Sequence, residues 1–277
     1  MGESILLKLH EGMVIFYAAS VFLYYFDFLH HNERIKKVAF RLLWIVWLLQ
    51  TSLFVLTIFE LERFPVLTLA EGLYFYSWLL ITCSLILNIF MKIEFIVFFT
   101  SVLGFAIIII YTFAPIHWGL PALAQKLASE LLFIHITLSF VAYVLFSISF
   151  IFSLLYIFQY QLLKKKKWGK WLFRITDLEK IEQLTCRLNI IGIPFIAIGV
   201  ILGLQWLYLK LPGTSFFDWK IIGSLLVIMM YSTQIYMKTR KIIYGKKFAL
   251  WNIASFFILL INFFLLSRLS DFHFWLT

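Results

Sequence analysis

Residues 131–158 read LLFIHITLSFVAYVLFSISFIFSLLYIF, a run without a single Asp, Glu, Lys or Arg. A hydrocarbon core about 30 Å thick is crossed by roughly 20 mostly apolar residues in a helix, so this stretch is long enough to span it. Working outward, comparable runs lie near 12–29, 38–59, 66–90 and 95–115 on one side, and near 189–209, 221–237 and 249–267 on the other. Together they predict an all-α polytopic membrane protein, with eight transmembrane helices in a single integral membrane domain covering 1–277. Composition agrees, with 63% hydrophobic and 14% charged residues, where a soluble domain carries about 25% charged. The strands of an outer-membrane barrel would be short and alternating, a pattern this chain lacks.

The formal charge of +10 would suit a nucleic-acid binder, but its distribution points elsewhere. On the eight-span reading, the connections after spans one, three, five and seven, with Arg41, carry 18 of the 24 Lys and Arg residues. The opposite side carries Lys8, Arg63, Lys126, Lys210, Lys220 and Arg268. Positive-inside bias then places both termini outside the cytoplasm. A basic inner face attracts anionic lipid headgroups, which accounts for the charge without nucleic acid. The N-terminal MGESILLKLHEG lacks a basic n-region and a small-residue cleavage site, so no cleaved signal peptide is expected. Cys83 falls in the third span and Cys186 in an inner connection, which implies no disulfide. No C-x-x-C-H occurs, so covalently attached c-type haem is not expected.

Between the spans, Pro65 suits the first turn of the third helix, and a tight turn around 91–94 joins the third and fourth. The segment 116–130, with His117 and Trp118, is apolar enough to lie along the interface. Lys164 to Lys167 stop the fifth span at the headgroups. Leu178, Ile181, Leu184 and Leu188 then recur at helical spacing among charged residues, the pattern of a short amphipathic helix on the inner leaflet or of one that docks a partner.

Few residues are left to carry chemistry. Of the six histidines, His30 and His31 fall at the inner boundary, while His10, His117, His135 and His273 map to the outer side. His135 lies about one turn inside the fifth span and His273 in the tail after the eighth, with the aromatic loop Phe216-Phe217-Asp218-Trp219 between them in sequence. Two neutral imidazoles over aromatic side chains form an axial pair for haem iron, with Lys210 or Lys220 to meet the propionates. The simpler alternative is that each histidine hydrogen-bonds a neighbour. Zinc lacks the needed ligand spacing.

Glu71, a turn and a half into the third span, must be paired, neutral or facing water; a helix-packing contact is its alternative reading. Asp27 and Arg41 lie near the inner boundary, where Asp27 pairs with a basic residue and Arg41 snorkels. Gln50, Asn88, Gln205, Gln234, Asn252 and Asn262 suit interhelical hydrogen bonds. With no Walker motif, G-x-S-x-G or H-E-x-x-H, no enzyme is expected.

Several segments, taken in order, resemble a known family. Glu130-Leu-Leu-Phe-Ile-His135-Ile-Thr-Leu-Ser-Phe-Val-Ala-Tyr143, preceded by Leu120-Pro121-Ala122-Leu123, is similar to a characteristic helix of the CcsA/ResC cytochrome c assembly family. Phe64-Pro65 through Glu71 to Trp78, and Ile193-Pro194-Phe195 through Gly199 and Gly203, resemble two more of its segments. Leu9-His10-Glu11, Asp27-Phe28-Leu29, Trp47-Leu48-Leu49-Gln50 and Arg63 to Thr68 resemble the HemX branch of that family, from Gram-positive bacteria.

The resemblance implies a multi-pass protein of the bacterial cytoplasmic membrane that handles haem b non-covalently at the outer face. His135 and His273 would be axial ligands, with Phe217, Asp218, Trp219 and Lys220 in the haem-presenting loop. Its partners would be haem and the proteins of cytochrome c assembly or haem biosynthesis. The chain departs from the family's tryptophan-rich loop: Gly213-Thr-Ser-Phe-Phe217-Asp218-Trp219-Lys220 keeps aromatic character, Asp218 and Lys220, but lacks most tryptophans, the proline and the glutamate. Lys238 stands before Thr239-Arg240 where the family carries a histidine. The HemX resemblance implies an alternative role, a non-enzymatic regulator of glutamyl-tRNA reductase abundance.

Overall fold

In the computed structural model the regular elements are all helices among the residues it describes, which are 2–91, 94–113, 129–166, 177–211, 218–266 and 269, without the side chains of 2–7 and 90–95. Among the described residues, eight helices are long and apolar enough to cross a membrane. They are α1 (Gly2–His30), α2 (Glu33–Leu61), α3 (Leu69–Met91), α4 (Glu94–Phe113), α5 (Glu130–Lys164), α6 (Leu178–Lys210), α7 (Trp219–Thr239) and α8 (Lys246–Ile261). A π-turn, Asn262–Leu266, extends α8. The chain divides into two compact units, 1–120 with α1–α4 and 121–277 with α5–α8.

Local chemistry sets the helix boundaries in the first unit. His31 takes a left-handed φ of 52° after α1. Asn32 then caps α2, its side-chain oxygen accepting from the Arg34 and Ile35 amides, while Asp27 accepts from the Asn32 amide at 2.9 Å.

The start of α3 departs from the sequence expectation. Pro65 lies in the bend before the helix, which begins at Leu69. Thr68 accepts from the Glu71 amide at 3.2 Å, and Glu71 accepts from the Leu67 and Thr68 amides at 2.8 and 3.3 Å. This is a capping box, which satisfies orphan donors at a helix start and supersedes the weaker preference for proline there.

Two reciprocal bonds join α2 and α3. Trp47 donates its indole N–H to Thr82, and Trp78 donates to Thr51, both at 2.9 Å.

In the second unit, α5 and α6 lie antiparallel in a register set by glycine. A Cβ on Gly192 would meet the Phe146 ring at 2.7 Å, one on Gly199 the Ser139 hydroxyl at 2.9 Å, and one on Gly203 the His135 ring at 2.7 Å. The glycines descend α6 with the same spacing as their partners climb α5, so two helices approach closely without hydrophobic help from lipid.

The predicted surface helix over 178–188 is instead the first part of α6. Ile181, Leu184 and Leu188 are buried inside the unit. The apolar face packs against protein, and its charged neighbour Glu182 pairs with Lys238 of α7, so the segment needs no membrane surface to cover it.

Candidate functional site

Ser129 opens α5, its hydroxyl accepting from the Leu132 amide at 3.3 Å, and this cap fixes the turn that carries His135. The Nδ1 of His135 lies 2.6 Å from the carbonyl oxygen of Gly199. A carbonyl only accepts, so Nδ1 carries the proton and the lone pair resides on Nε2. Among the described residues, Nε2 meets no hydrogen-bond partner. Gly203 faces the ring, and a methyl there would stand 2.7 Å from Cε1, 2.8 Å from Nδ1 and 3.3 Å from Nε2. One glycine therefore orients the imidazole through its backbone and the other leaves room for it.

The start of α7 and the end of α8 meet at the same end of the unit. Asp218 is buried as the cap of α7 and accepts from the Lys220 amide at 2.7 Å. Lys220 turns into the bundle, where its ammonium donates to the Asn262 carbonyl at 3.0 Å and lies 5.7 Å from the Phe263 ring. Asn262 in turn donates to Ser224 at 3.3 Å. Phe263 packs edge-on against Phe140 and Tyr143 of α5, with ring centroids 6.4 and 5.8 Å apart. Trp219 points outward, 58% exposed.

Of the residues expected to form a haem site, the structure thus gathers His135, Asp218 and Lys220 at one end and turns Trp219 away. Phe217 and His273 lie outside the described residues, as do His117, residues 116–128 of the 116–130 segment and the tight turn at 92–93. Of the two lysines expected to meet the propionates, Lys220 turns inward onto Asn262, and Lys210 is exposed at the end of α6.

Glu71 belongs to the first unit and is paired. Arg63 grips it with two bonds of 2.9 and 2.6 Å, so it is a local anchor for the start of α3. His10, the other histidine expected on the outer side that is described, uses its Nε2 on the Thr112 hydroxyl at 2.9 Å and sits edge-on to Tyr111.

Sequence reasoning missed Gly199 and Gly203 as partners of His135, although their i,i+4 spacing was visible. It also missed most of a polar node deeper in the unit. There Ser149 donates to Asn189 at 2.6 Å, Asn189 to Asn252 at 2.7 Å, and Asn252 to Ser149 and Ser153, both at 2.8 Å. At the opposite end Glu182 holds both the Lys238 ammonium and the Gly245 amide. Lys238, in the position where the resembled family has a histidine, is occupied as the cation of this pair.

Comparison with known proteins identifies the family. The profile of the cytochrome C assembly protein family matches residues 66–273, from just before α3 into the tail. The chain belongs to the cytochrome C assembly protein family. Within it, the chain is similar over nearly its whole length to two curated relatives. Protein HemX of Bacillus subtilis (strain 168) is 48% identical over 273 residues, 99% of each chain. Protein HemX of Brevibacillus brevis is 37% identical over 267 residues, 96% of this chain and 97% of its own. Membership in this family and the eight apolar helices make the chain a haem-related, multi-pass membrane protein.

Proposed function

We propose that this protein binds haem b non-covalently at the outer face of a bacterial cytoplasmic membrane, with both termini on that side, and acts without catalysing a reaction. The observation that carries the reading is the state of His135. Its Nδ1–H is committed to the Gly199 carbonyl, which leaves the Nε2 lone pair for a metal. A backbone partner on the second nitrogen is how proteins orient and strengthen a histidine ligand.

Haem would supply iron as the acceptor of that lone pair. His135 would hold the iron, Gly203 would leave space for the ring, and Phe140, Tyr143 and Phe263 would offer apolar surface nearby. Asp218 and Lys220 set the start of α7 beside it, and His273 is the proposed second ligand. The partners would be proteins of cytochrome c assembly or haem biosynthesis.

A second reading is favoured by the pairing of Lys238 with Glu182. A histidine at that position would extend haem contacts deeper into the unit; a lysine locked to a glutamate does not. On this reading the protein is a non-enzymatic membrane regulator of tetrapyrrole synthesis that acts on glutamyl-tRNA reductase abundance. Deletion separates the two. Loss of mature c-type cytochromes supports the assembly role, whereas normal cytochromes with altered reductase levels support regulation and contradict assembly.

A further inference from the structure

The connection between α7 and α8 carries a dense basic surface, and the haem reading does not use it. Residues 236–250 read YMKTRKIIYGKKFAL and contain no acidic residue. Arg240, Lys241, Lys246 and Lys247 are all exposed. Between them, Ile242 and Tyr244 are 57% and 72% exposed, while Ile243 is buried as an anchor.

The connection is built to hold this shape. Lys241 takes a left-handed φ of 58°, and the Ile242 amide donates to the Met237 carbonyl at 2.8 Å. Gly245, with φ of 60°, gives its amide to Glu182 at 3.0 Å. A Cβ at Gly245 would stand 3.1 Å from the Tyr156 hydroxyl. Glu182, the acid closest to the connection, is consumed by Lys238 and Gly245, so it does not neutralise the exposed cations. Arg240 lies over the Tyr236 ring and Lys246 over that of Tyr160.

We propose that this connection is a binding site for the headgroup of an anionic phospholipid, with Arg240, Lys241, Lys246 and Lys247 on the phosphate and Ile242 and Tyr244 in the adjoining acyl boundary. Two features select a lipid. The surface sits at the ends of two membrane-crossing helices, where phosphates are found. It also exposes an aliphatic and an aromatic side chain among its cations, which a free phosphate would not need and an interfacial lipid does. Holding the loop rigid before the lipid arrives removes an ordering cost from binding.

The test uses the full-length protein in neutral detergent, with native mass spectrometry to count retained phosphatidylglycerol or phosphatidylcholine. Phosphatidylglycerol should be retained and phosphatidylcholine not. The variant R240Q/K241Q/K246Q/K247Q should bind phosphatidylglycerol at least about tenfold more weakly, and I242S/Y244S should weaken it less. A matching change at the basic end of the first unit, R34Q/K37Q, should leave this retention in place.

Inorganic phosphate in excess should not displace the lipid; displacement would identify a free-anion site and overturn the proposal. Unchanged retention in the quadruple variant, with its thermal midpoint intact, would also overturn it. So would loss of a co-purifying protein while phosphatidylglycerol still binds, since that marks a protein-docking surface. None of these outcomes depends on haem, so they stand apart from the fate of the haem reading.

Discussion

The two units each place a polar node and a histidine inside four apolar helices, but they use them differently. In the first unit, Tyr17 and Ser77 both face Gly104, Ser77 donates to the Gly104 carbonyl at 3.0 Å, and Gln50 reaches Ser77 only at 3.4 Å. Gln50 Oε1 and Ser101 Oγ are left without a partner among the described residues. In the second unit, Asn252 alone joins Asn189, Ser149 and Ser153, with Gln234 at 3.4 Å.

The histidines differ in the same sense. His10 spends Nε2, the nitrogen farthest from its backbone, on Thr112, whose own proton goes to the Ile108 carbonyl at 2.7 Å. His135 spends Nδ1 on a carbonyl and keeps Nε2. The contrast teaches that a histidine within the helices becomes a ligand candidate through the nitrogen its partner takes. Residue type is the same for both.

This contrast is open to attack at several points. The largest effect on the fold is expected from Asn252→Leu, which strips partners from three helices of the second unit and leaves buried amides and hydroxyls unsatisfied. It should cost about 2–3 kcal/mol in denaturation from detergent micelles. The corresponding change in the first unit, Gln50→Leu, should cost under about 1 kcal/mol, because one of its polar atoms is already unpaired. Equal costs would erase the distinction between the nodes.

Gly203→Ala should weaken haem binding about 10–100-fold, because its methyl would displace the His135 ring, and spectroscopic titration with haemin measures this. Removing the Glu71 carboxylate with Glu71→Ala should cost about 1 kcal/mol of thermal stability through the lost capping box and leave haem titration unchanged. The smallest change is expected from Thr112→Val. It breaks the His10 contact, should cost under about 1 kcal/mol, and should not alter the haem spectrum.

The spans were legible because a bilayer forces long uninterrupted apolar runs, and a charge-free stretch such as 131–158 has few other uses. The polar partners were partly legible. Gln50, Gln234, Asn252 and Asn262 stood out because amides in hydrocarbon need partners, but Ser149 and Asn189 did not, since a helical serine commonly bonds its own backbone. The start of α3 was misplaced because proline is a loud signal and the Thr68–Glu71 box a quiet one. The 178–188 segment was misread because an amphipathic stripe looks the same whether it covers lipid or protein. At the candidate site, His135 was visible as an expensive residue. Its orienting partner was not, because the Gly199 carbonyl is a backbone group 64 positions away with no side-chain signature.

The most direct test is the absorption spectrum of the purified, haemin-loaded protein with each histidine replaced separately by alanine. The account predicts that His135→Ala abolishes or shifts the low-spin haem bands while His10→Ala leaves them in place. Bands that survive His135→Ala unchanged, or that vanish with His10→Ala alone, would contradict it.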